Sequence, residues 1–212
     1  MTEDVKQSRE VYILFGIAAV LLVISGIGPV DRATWWLEVG PVFVGIPLLL
    51  WLRPRFPFTP LLYRLLFIHA CIVMLGGHYT YVQVPLGDWV RDWFDLERNN
   101  YDRFGHLAQG FIPAILMREI LWRKSPLRGS RWLPFLTVCF CLAFSALFEM
   151  FEWWVALIMG GSADAFLALQ GDQWDTQWDM FLALCGAIIS LLLLSRPHDR
   201  QLIQLVGQQI KK

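Results

Sequence analysis

The chain has 212 residues, of which 56% are hydrophobic and 15% aromatic, with a mean hydropathy of +0.48. These values lie outside the ordinary range of soluble domains and point to a membrane protein. The 18 basic and 18 acidic residues cancel, so there is no global positive field for nucleic acid.

Six apolar segments follow in chain order. Val11–Val30 has 20 residues without a charge, which is long enough to span a bilayer, and no signal-peptide cleavage pattern follows it. It reads as a retained helix. The others are Trp36–Leu52, Leu65–Leu86, Arg103–Leu121, Trp132–Met159 and Asp179–Ser195. Backbone polar groups in lipid must bond within their own segment, so all six are expected as helices. The fold class is therefore all-α: a polytopic membrane bundle of about six transmembrane helices, forming one integral membrane domain over residues 1–212. Cys71, Cys139, Cys141 and Cys185 all fall inside apolar runs, form no CxxC pair, and read as small buried hydrophobes.

Orientation follows from the basic residues. Lys6, Arg9, Arg53, Arg55, Arg64, Arg118, Arg123, Lys124, Arg128, Arg131, Arg196, Arg200, Lys211 and Lys212 flank one side, and only Arg32, Arg91, Arg98 and Arg103 the other. The positive-inside rule places the first set, with both termini, in the cytoplasm. Most of the 11 tryptophans lie near segment ends, as an interfacial aromatic belt requires.

Acidic residues collect on the opposite side. The loop from Asp88 to Asp102 holds five of them, and Gly160–Asp179 holds Asp164, Asp172, Asp175 and Asp179 with no lysine or arginine. Most of the loop acids read as solvated. Those that enter helices do not. Glu149 and Glu152 sit in ALFEMFEWWVALIMGG three residues apart, hence on one helical face, and Ser145 continues that face inward. An intramembrane carboxylate facing lipid costs a few kcal/mol or more, so this face should turn into the bundle.

Partners at the same level come from three other segments. Asp102 and His106 are spaced i, i+4 in YDRFGHLAQG, with Gln109 a turn deeper. Asp175 and Asp179 are likewise spaced in GDQWDTQWDM, after Asp172. His78 and Tyr79 end the third segment, and Asp31 and Glu38 flank the first outer loop. His69, deeper in its helix, and His198, in the cytoplasmic tail, have no such company. Like charges packed together cannot all ionise without compensation. The remedies are raised pKa values, pairing with Arg103 or Arg32, or a bound cation. Carboxylates with a histidine suit Mg²⁺, Mn²⁺ or Zn²⁺. The candidate metal ligands are Asp102, His106, Glu149, Glu152, Asp175 and Asp179. The candidate catalytic residues are Glu149, Glu152, His106 and Asp175.

The set DRFGHLAQG, FEMFEWW and GDQWDTQWDM, together with the early PVDRATWWLE, resembles the YjdF family of bacterial inner-membrane proteins over nearly the whole chain. The resemblance implies a multi-pass protein of the inner membrane and carries no activity with it. A weaker similarity to VanZ-like membrane proteins rests on an Asp-x-x-x-His helix start followed by a Glu in a later helix. The HxxxH motif of ceramidase-like membrane hydrolases is absent.

Three functional readings remain open. One is a metal-dependent membrane hydrolase or lipid-modifying enzyme, acting on a lipid or small molecule, in which the cation activates water. Another is a transporter or ion- or proton-handling protein, which requires polar residues through the full depth of the bundle. The inner halves of the helices supply few, chiefly Thr137, Ser145 and Ser190. A non-catalytic accessory protein, whose cluster only ties helices together, is the third alternative.

Overall fold

A computed structural model describes residues 3–160 and 164–210. Ser162, in the loop after the fifth segment, and Lys211 and Lys212 lie outside the described residues. All regular structure among the described residues is helical.

Helix α1 (Glu3–Ser25) turns into α2 (Arg32–Leu52), whose start is fixed by Asp31: its side chain accepts from the Thr34 N–H at 2.7 Å. Helix α3 (Pro60–Tyr79) opens on the same device, with Thr59 as cap and Pro60 in the first turn. It stops because Thr80 and Tyr81 both adopt left-handed backbone, at φ 60° and 58°. That turn lays the Tyr81 ring across Gly76, where any Cβ would strike it. The helix therefore ends at Tyr79, short of the expected Leu86. Pro85 starts a separate short helix, α4 (Pro85–Phe94), which exposes Trp89, Trp93 and Phe94.

Helices α5 (Tyr101–Lys124) and α6 (Trp132–Met159) follow, then the single turn α7 (Asp164–Leu167) and the long α8 (Asp175–Ile210). The expected sixth segment ended at Ser195, where charged residues begin. The helix instead continues through Pro197, and Leu202 packs beneath Trp122 and Leu133. His198 is thus wholly buried rather than in a free tail.

Among the described residues, five helices, α1, α2, α3, α6 and α8, are long and apolar enough to cross a membrane. Helix α5 is too polar for that criterion, yet it is the most enclosed. It packs on α3, α6 and above all α8. The α5–α8 contact is built from small residues. Ala114, Ala183 and Ala187 are fully buried, Gly110 lies on the backbone of Ala183, and Gly186 on the backbone of Leu107. Close backbone approach through Gly and Ala is how helices associate where lipid removes the hydrophobic drive. The two helices run in the same direction: Asp102 lies near Asp179 at one end, and Arg118 near His198 at the other.

Candidate metal centre and adjoining cavity

Where α5 begins, three helices present acids to one another. The i, i+4 spacing stacks Asp102 and His106 on one face of α5, with the His106 Nε2 3.7 Å from an Asp102 oxygen. Asp179, in the first turns of α8, places Oδ2 4.0 Å from the same nitrogen. Glu149 of α6 lies 3.8 Å from Nδ1. One ligand atom each of Asp102, His106 and Asp179 falls within 4.8 Å of the others, and all three residues are buried.

The imidazole is oriented by Gln109, one turn along. The Gln109 carbonyl oxygen is 2.9 Å from Nδ1 and accepts its proton. The lone pair of Nε2 then faces the Asp102 and Asp179 oxygens. The ring nitrogen and the two carboxyl oxygens face one another at separations too long for hydrogen bonds. Two bonds of about 2.1 Å to a common tetrahedral ion would set neighbouring ligands roughly 3.4 Å apart. The observed 3.7 and 4.0 Å lie just outside that edge. Oε1 of Glu149 and Oδ1 of Asp179 are buried without a hydrogen-bond partner among the described residues, as is the Ser145 hydroxyl a turn below.

The local cations are already engaged. Arg98 holds Asp175 at 2.7 Å and lies 3.7 Å from Asp172, while Arg103 holds Asp172 at 2.5 Å. Arg32, expected as a counter-charge, donates instead to the Gly26 carbonyl. His78 meets the Ser25 carbonyl at 2.8 Å, and Asp31 is spent capping α2. Of the expected ligands, the structure brings Asp102, His106, Glu149 and Asp179 together. Asp175 is ion-paired to one side. Glu152 is half-buried and borders the group from an adjoining cavity.

Glu152 lines a cavity of about 100 Å³ on the other flank of α5, together with Glu38, His69, Tyr81, Asp102 and His106. Asp102 and His106 therefore border both the acid centre and this space. Burial pushes the Tyr81 hydroxyl well above its ordinary range, so it stays a neutral donor. Sequence reasoning missed Arg98, Tyr81 and His69. Arg98 sits in a loop, and its pairing with Asp175 spans 77 residues of sequence, so no local pattern could signal it.

It also missed a second polar group, at the far end of α5. Glu119, fully buried, accepts from the Thr59 backbone and hydroxyl, from Arg123 and from His198. Arg118 donates to His198 Nδ1 at 3.0 Å and to Asp199 at 2.7 Å. Here each acid has donors, and α3, α5 and α8 are tied together. The contrast with the unpaired oxygens of the first centre is complete.

Residues 10–200 match a family described as "Predicted membrane protein (DUF2238)". The chain belongs to this family. It is similar to "Inner membrane protein YjdF" of Escherichia coli (strain K12), 51% identical over 183 residues, which cover 86% of this chain and 88% of that protein. No solved structure matches. With its apolar helices, the chain is a multi-pass protein of the bacterial inner membrane.

Proposed function

We propose that Asp102, His106 and Asp179, with Glu149 beside them, hold a divalent cation, and that the protein is a metal-dependent hydrolase or lipid-modifying enzyme of the membrane. The observation that carries this reading is the meeting of His106 Nε2 with the Asp102 and Asp179 oxygens, with the local arginines already paired to Asp172 and Asp175. A cation offsets that charge and would supply a polarised water. Glu149, with one oxygen unpartnered, is the carboxylate placed to take the proton from it. The neighbouring cavity gives a substrate access to the same Asp102 and His106.

In this reading α5 is a sixth crossing, since it runs between the same two ends as α6 and α8. The acid centre then lies on the outer side and the Glu119 group on the cytoplasmic side. Between them α5 buries Ala108, Gly110, Ile112, Ala114 and Ile115, and the facing helices add only the separate buried hydroxyls of Thr137, Ser145 and Ser190. That apolar stretch favours an enzyme over a transporter.

The test is thermal melting of the purified protein with a chelator and with the ion added back. Wild type should lose stability on chelation and regain it with Mn²⁺ or Zn²⁺. Asp179→Asn should respond to neither. A wild-type melt indifferent to chelation would remove the metal, and a metal-dependent reaction with it.

A further inference from the structure

We infer that the substrate of this centre is a membrane lipid, with one acyl chain seated in an apolar groove enclosed by α1, α2 and α3 and its polar end in the cavity beside His106. This rests on the metal-dependent reading above and adds the class of substrate.

The groove has a volume of about 150 Å³, and its walls include Leu14, Ala18, Val42, Gly45, Ile46 and Leu66. Pro41, His69 and Val73 line both it and the carboxylate cavity. The two spaces therefore meet at one wall, apolar on one side and acidic on the other. An amphiphile is the ligand class whose own two ends have that division. A small water-soluble substrate would use the polar cavity and leave the groove without purpose. Apart from Tyr63 and His69 its lining is apolar, which disfavours ordered water.

Its length points the same way. On α3 the groove extends from Tyr63 to Val73, about 15 Å at 1.5 Å per residue. That is roughly half the ~30 Å hydrocarbon core, and it lies below the polar cavity toward the cytoplasmic start of α3 at Pro60, as a chain reaching inward from a polar end beside His106 requires. Helix α2 is suited to forming such a wall. It carries Pro41 and Pro47 within the helix, and Gly45, between them, leaves open space where a side chain would stand. Helix α2 packs chiefly on α3 and has no extensive contact with α6. The polar cavity, lined by residues of both, thus lies behind a seam between α2 and α6 through which a lipid can arrive sideways from the bilayer.

The experiment is photolabelling of the intact protein in phosphatidylethanolamine nanodiscs containing a phosphatidylethanolamine with a mid-chain diazirine, with labelled peptides mapped by mass spectrometry. Labels should concentrate on the groove segments around Ala18, Gly45 and Leu66. Gly45→Leu, which fills open space, should reduce groove labelling several-fold. Gly16→Leu, equally open but exposed and outside the groove, should leave it unchanged. Labelling spread evenly over the exposed helix faces, or groove labelling that persists in Gly45→Leu, overturns the inference and leaves annular lipid only. Melting with and without chelator on the same samples reports on the cation separately. Groove labelling with a chelator-indifferent melt would keep the lipid seat and sink the metal. A chelator-sensitive melt without groove labelling would do the reverse.

Discussion

At the scale of single residues, the tautomer of His106 decides which ring nitrogen is free to bind a cation. Gln109 holds the proton on Nδ1, and Nε2 is left to face two carboxylates. Groups that orient a metal-bound histidine in this way typically matter 10–100-fold in metal affinity. Gln109→Leu is therefore expected to weaken cation binding by about that factor, measured by titrating stripped protein, while changing its cation-free melting little. Arg98 makes a different demand. It and Asp175 are nearly buried, with side chains 11% and 3% exposed. Removing one partner of such a pair leaves an uncompensated charge, at about 3–5 kcal/mol. Arg98→Leu should lower stability by that order in a denaturation experiment, with or without added ion, whereas the loss in Asp179→Asn should appear only against ion-loaded wild type. The i, i+4 pairs Asp102–His106 and Asp175–Asp179 and the Glu149 face could be read from spacing alone. That Asp175 pairs with Arg98 could not, because that arginine comes from a distant loop.

At the scale of helices, two devices fix where the site residues stand. Asp31 caps α2, and the Thr34 N–H holds its carboxylate below the ordinary range. A carboxylate with a depressed folded-state pKa contributes stability above its unfolded pKa and loses it as pH falls through the folded value. Asp31→Ala should cost about 1 kcal/mol at neutral pH, as lost caps do, and the difference from wild type should shrink in acid. The second device is the glycine contact between α5 and α8. Any side chain at Gly186 meets the Leu107 backbone, which cannot yield as a flexible side chain does. Gly186→Val should part the helices, costing roughly 1–3 kcal/mol as overpacking does. It should also abolish the response of melting to chelator, because Asp179 would move away from His106. Gly207→Ala, with open space around it, should do neither. Hydropathy located the apolar helices well, since length and lack of charge are what the bilayer imposes. It erred where packing sets the limits. Helix α3 stops at Tyr79 because of two left-handed residues, and α8 outruns its apolar stretch because Leu202 has Trp122 and Leu133 to pack on.

For the whole molecule, the basic residues Arg53, Arg55, Arg118, Arg123 and Lys124 gather at one end and the acid centre at the other. The positive-inside rule then directs the acid centre outward. In a cysteine-free background, Glu97→Cys should react with an impermeant thiol reagent in intact spheroplasts, and Ser130→Cys only after lysis. The reverse pattern would place the centre in the cytoplasm. That acids collect at one end of the helices was legible from composition. The presence of two polar groups at opposite ends of α5, one saturated with donors and one starved of them, was not. Glu119 and His198 are 79 residues apart and meet only through the α5–α8 contact. That contrast is what singles out the acid centre as the candidate site.

The most direct measurement is elemental analysis of the protein purified without chelators, beside Asp179→Asn prepared in the same way. One divalent transition metal or magnesium ion per chain is expected in the wild type, and a clear loss in Asp179→Asn. Wild-type protein with no stoichiometric metal, or equal metal in both preparations, would contradict a cation held by Asp102, His106 and Asp179.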